Sequence, residues 1–171
     1  MTIVTIGLSD LAVLFERDLS TLAREILAYP DDASLWAMVP GQPTSGGNLA
    51  LHLVGNLRHF IGAALGHTGF IRDRPSEFAT KDVPREVLLE SIRMAKEEVA
   101  TTLASLPPSR LAEAFPLELG GGHPTIQAVL LHLSTHLAFH LGQLDYHRRA
   151  ITGDSTSVGP LSLQHLAHMG Q

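Results

Sequence analysis

A chain of 171 residues, 44% of them hydrophobic, is long enough for one domain with its own core, and a single domain over residues 1–171 is expected. It has no cysteine, which excludes disulfides, thiolate zinc sites, iron–sulfur clusters and cysteine nucleophiles. A formal net charge of −5 argues against nucleic-acid or anionic-membrane partners, no apolar run reaches the ~18 residues of a membrane span, and MTIVTIGLSDL lacks the basic start of a secretory leader, so a soluble cytoplasmic protein is expected.

Four long helical patterns follow one another. The first covers about residues 9–28, where Ser9 can cap and Leu11, Leu14, Phe15, Leu19, Leu22 and Ile26 recur with helical period until Tyr29-Pro30 stops the run. A loop with Trp36, Pro40, Pro43, Gly46 and Gly47 leads to the second, about 47–66. There Leu49, His52, Leu53, Asn56, Leu57, Phe60 and Ile61 share one face, so two polar residues sit in an apolar seam. Gly55, Gly62 and Gly66 each cost that helix on the order of 1 kcal/mol against alanine, a cost offset if they admit a close neighbour.

Residues 67–83, HTGFIRDRPSEFATKDV, read as a polar connection. Pro84 opens the third helix, about 84–106, with Leu88, Ile92, Ala95, Val99 and Leu103 on its apolar face and Pro107-Pro108 at its end. Residues 109–122 read as irregular, with an extended piece from Phe115 to Leu119 before Gly120, Gly121 and Gly122. Pro124 opens the fourth helix, about 124–150, and SLQHLAHMG in the tail suggests one short further helix. The pattern is all-α: a four-helix bundle with long connections.

The fourth helix carries HLSTHLAFHLGQLDYH at residues 132–147. His132, His136 and His140 stand four apart and stack along one face. Imidazole is the commonest transition-metal ligand, and an i, i+4 pair can grip one ion. The three cannot share an ion, because roughly 12 Å of helix rise separates the outer two. The pair is His132 with His136, or His136 with His140. A third ligand must come from another element: His52 in the second-helix seam is the first candidate and His59 the second. His67, His123, His165 and His168 read as ordinary polar residues, and His147, beside Arg148 and Arg149, as favouring the negative pole of the helix dipole. Three neutral imidazoles leave a fourth position open, the pattern of catalytic zinc sites. Asn56, one turn after His52, and Gln143 are the candidate substrate-binding residues; the plainer reading of each is a hydrogen bond between helices. No glutamate follows His136 as in H-E-x-x-H, so the fourth helix offers no general base.

The segments GGNLALHLVGNLRHFI, RDRPSEF and HLAFHLGQ, within about residues 8–150, resemble the DinB/YfiT-like superfamily of helical metalloenzymes. By that resemblance the metal ligands are His52, His136 and His140, with Gly142 and Gln143 closing the H-x-x-x-H-x-G-Q signature. Leu141 stands where many members have arginine. The resemblance implies a homodimeric four-helix bundle with a divalent transition metal, zinc or nickel, and a small-molecule substrate, in some relatives with a low-molecular-weight thiol. The activities it suggests are thiol S-transfer and hydrolysis, because an ion lowers the pKa of a thiol or of water enough to yield a nucleophile near neutral pH. A non-catalytic metal- or ligand-binding dimeric bundle is the alternative. Protons compete for imidazole, so metal binding is expected to weaken as pH falls through roughly 6.5.

Overall fold

The computed structural model describes residues 7–159, and its described residues are helical without a strand. Four long helices form the body: α1, Leu8–Leu27; α3, Gly46–Leu57, continued by a wide π turn at Arg58–Ala63; α5, Arg85–Ser105; and α6, Ile126–Thr152. Two short helices, α2 (Asp32–Trp36) and α4 (Arg74–Ala79), lie in the connections. The all-α expectation holds, but both connecting segments are more ordered than their composition suggested. Asp31 accepts from the Ser34 amide at 2.7 Å to start α2, and Asp73 accepts from the Ser76 amide at 3.2 Å to start α4. These caps provide the helix starts that segments too short for a visible apolar period could not announce. The suggested tail helix, His165 and His168 lie outside the described residues.

α1 packs on α5 and α6, and α3 packs on α5, α6 and α4. The stripe Leu11, Phe15, Leu19, Leu22 and Ile26 of α1 meets Leu88, Ile92, Ala95, Val99 and Leu103 of α5 and Leu130, Leu133, Leu137, Leu141 and Leu144 of α6 in one core. Gly66 lets the end of the α3 segment approach α5, since a Cβ there would overlap the Thr102 hydroxyl. A 3₁₀ turn at Pro108–Ala112 then leads into an excursion pinned by two antiparallel bridges, Ala114 with Thr125 and Leu119 with Gly122. The extended piece expected from Phe115 to Leu119 is thus held only at isolated points. No helix among the described residues is long and apolar enough to cross a membrane.

The far end of α6 departs most from expectation. His147 does not sit exposed at a dipole end: it is 0% exposed. Its Nε2 lies 3.0 Å from the Ala37 carbonyl and donates to it, so Nδ1 accepts from the Tyr29 hydroxyl at 2.7 Å. Both ring nitrogens are satisfied, and the ring locks α6 to the segment on either side of α2. Arg148 is buried beside it, donating from Nε to Glu25 Oε2 at 2.7 Å and from Nη2 to Asp145 at 3.0 Å and to the Thr156 carbonyl at 2.8 Å. Burial raises the Glu25 carboxyl above its ordinary value even with Arg148 attached. Breaking such a pair strands a charge in the core. Glu25→Ala should lower unfolding free energy by about 3–5 kcal/mol in urea titrations. Glu90→Ala, which breaks the solvent-exposed pair with Arg93, should leave the midpoint nearly unmoved.

Candidate metal centre

The site is built on one face of α3 and one of α6. Ser45 accepts from the Asn48 amide at 3.2 Å and fixes the start of α3. Asn48 then donates from Nδ2 to the carbonyls of Glu77 (3.0 Å) and Thr80 (2.9 Å), which ties α4 against α3. One turn on, His52 Nδ1 lies 2.9 Å from Glu77 Oε2. Arg72 clamps the same carboxylate, Nε to Oε1 at 2.6 Å and Nη2 to Oε2 at 2.9 Å. Arg72 Nη2 also lies 3.3 Å from His52 Nδ1. A guanidinium only donates, and the Nδ1 proton is directed at the carboxylate, so that approach reflects the shared oxygen and not a bond. Burial alone would raise the Glu77 carboxyl, but the hydrogen bonds from Arg72 and His52 outweigh it and hold it below its ordinary value.

This arrangement selects a tautomer. With its proton on Nδ1, His52 presents the Nε2 lone pair to α6. His140 is set the same way from the other side, with Nδ1 donating to the Gln143 side-chain carbonyl at 2.6 Å and Nε2 left free. His136 stands between them, its Nε2 3.4 Å from that of His52 and its Nδ1 buried without a protein partner. One ring nitrogen from each of His52, His136 and His140 lies within 4.8 Å of the others. Metal–nitrogen bonds of 2.0–2.1 Å in a tetrahedron put neighbouring nitrogens about 3.3 Å apart, so the cluster could close on one ion with small side-chain adjustments.

Two of the three rings, His136 and His140, are also held back from protonation. Burial, reinforced by His140, His52, His132 and Arg72, pushes His136 down from 6.5 to about 4. Burial lowers His140 as well, against the opposing bond to Gln143. His132 is not part of the three-nitrogen cluster; it is exposed, with its ring centroid 5.9 Å from that of His136. His59 sits in the π turn against Phe60, and His123 bonds the Phe115 carbonyl at 3.0 Å. Asn56 lies 7% exposed between the triad and a cavity, its Oδ1 unpartnered. Gln143, read from the sequence as a substrate contact, has its carbonyl engaged with His140.

A family model described as the DinB superfamily matches residues 14–144. The chain belongs to the DinB superfamily. Neither a search of curated proteins nor one of solved structures finds a match. The DinB helices thus supply the three histidines. Glu77 and Arg72, which sequence reasoning passed over, supply the support behind His52. The only hint of them was RDRPSEF, noted for its likeness and not for its chemistry, because the path of a connecting segment has no period from which to read a contact.

Two predictions follow from the support and the burial. Glu77→Gln should weaken zinc binding 10–100-fold in chelator competition. Gly55→Ala should act in the same direction, since its methyl would overlap Glu77 Oε1, whereas a methyl at Gly142 meets nothing within 4 Å. Separately, the metal-free protein should lose stability as pH falls from 6.5 toward about 4. In that window the unfolded imidazole takes a proton that folded His136 refuses, so the unfolded state binds more protons. Denaturation midpoints across the window should show the slope, and His136→Gln should flatten it. Proton competition with a metal at His136 and His140 is likewise displaced below the ordinary imidazole range.

Proposed function

We propose that the chain is a metal-dependent enzyme that uses His52, His136 and His140 to hold zinc or nickel and acts on a small molecule, by thiol S-transfer or by hydrolysis. The observation that carries this reading is the convergence of three imidazole nitrogens in which His52 and His140 have their tautomers set by Glu77 and Gln143. An ion held there would supply Lewis acidity and lower the pKa of a thiol or of water. The protein's own groups do the rest. Glu77 and Arg72 orient His52, Gln143 orients His140, and Asn56 faces the space where a substrate can approach.

No aspartate or glutamate lines the adjoining cavity, and Glu77 is spent on Arg72 and His52. That favours thiol transfer over hydrolysis, because a thiol acidified by a metal needs no separate carboxylate base. A homodimer of single-domain chains in the cytoplasm completes the proposal. The second reading, a non-catalytic dimeric bundle that binds a metal or ligand, rests on the same missing base.

Metal analysis of untagged protein, then a screen of several thiols against electrophiles and of esters and amides, tests the reading. His136→Ala should lose both the metal and turnover while far-UV circular dichroism keeps most of its helix signal, since the bundle rests on its apolar stripes. One metal per chain with full activity in that variant would refute the assignment. Metal binding with no turnover across the screen would favour the binding module.

A further inference from the structure

Beside the triad, on its His132 side, lies a cavity of about 370 Å³ between the π turn, the first turns of α6 and the 113–125 excursion. Its walls are apolar: Phe60 from the π turn, Leu119 and Pro124 from the excursion, Val129 and Leu133 from α6. One end is polar, where Asn56, His132 and His136 line it. Asn56 and His136 each have a buried side-chain atom, Oδ1 and Nδ1 respectively, with no hydrogen-bond partner. No lysine, arginine, aspartate or glutamate lines the cavity.

A buried polar atom without a partner is costly, and native structures leave few of them. Both side chains border an apolar cavity, and a small rotation of either would bring its unpartnered atom to the cavity surface, so the site calls for a ligand that brings hydrogen-bonding capacity there and hydrocarbon elsewhere. An ionised group among these walls would be desolvated without a counter-charge, which the same physics disfavours. A volume of this size stands at the small end of ligand sites and suits a single-ring molecule.

We infer that the cavity binds an uncharged, apolar-bodied small molecule, of single-ring size, with its hydrogen-bonding head at Asn56 and His136. This deepens the proposed function: the cavity takes the electrophile or acyl substrate, and a carboxylate-bearing thiol has to approach from the open side of the triad. The substrate class rests on that reading, whereas binding in the cavity does not depend on a metal.

The test uses the full chain stripped of metal and ligand-observed NMR with three probes: phenylacetamide, acetamide and phenylacetate. Phenylacetamide should bind at least tenfold more tightly than either of the others. Acetamide lacks the ring and phenylacetate carries the charge. Ala128 lines the cavity from an exposed position on α6, so Ala128→Trp can fill the space without disturbing the core. It should reduce phenylacetamide binding at least tenfold while zinc affinity, read by chelator competition, stays unchanged. Equal binding of phenylacetate and phenylacetamide, indifference to Ala128→Trp, or no binding of phenylacetamide would each overturn the inference. Failure of the wild-type chain to take up either zinc or nickel would instead sink the metalloenzyme reading and leave the cavity result standing.

Discussion

The geometry of this site depends on a single carboxylate. Glu77 joins three elements through side chains: α4, which carries it, the preceding segment through Arg72, and α3 through His52. The carboxylate must be ionised to accept from both partners, and the guanidinium keeps it so despite burial. Without that charge the His52 proton would have no preferred nitrogen, and the ring could rotate about its Cβ–Cγ bond. The glycine at position 55 completes the arrangement by leaving the space the carboxylate occupies.

The two sides of the triad are supported unequally. His52 is buried and backed by an ion pair whose own members are 10% and 7% exposed. His140 is backed by a neutral amide at an exposed position. His136 has no hydrogen-bond partner at its buried Nδ1. The three rings are thus graded from one held by an ion pair, through one held by a neutral amide, to one with no hydrogen bond to fix its orientation. His136 is also the one of the three that lines the cavity, so a change there reaches the cluster through this ring more directly than through the other two.

The four long helices were legible because each has a strong apolar period, and His52, His136 and His140 were legible because helical spacing puts them on faces that must meet. Spacing alone left the register of the α6 stripe open, since His132 and His140 are equivalent neighbours of His136 on a bare helix, and only the resemblance to the H-x-x-x-H-x-G-Q signature pointed to His140. Tertiary placement separates them: His140 comes within 5.2 Å of His52 ring to ring, and His132 turns to the cavity instead. His147 was misread, and the burial of Arg148 went unforeseen, for a related reason. Charged and polar residues near a helix end ordinarily face water, and only the meeting of Glu25, Tyr29 and the Ala37 carbonyl makes burial there affordable. α2 and α4 are too short to show a period, and their capping side chains are the signal that was available.

The π turn at Arg58–Ala63 has a bearing on how such a protein can change over evolutionary time. A π turn amounts to one residue inserted into a helix. Each residue advances about 100° around the axis, so everything beyond the turn is rotated by that amount relative to a straight continuation of α3. Gly66 against α5 lies beyond the turn and takes its facing from that offset, while Phe60 lines the cavity from within the turn. Loss of a single codon in this turn would leave the histidine untouched yet swing the cavity wall and the glycine seam off their partners together. A change of length is therefore costly in the wide turn, whereas around Gly120–Gly122, where an added Cβ meets nothing within 4 Å, the chain has room to vary.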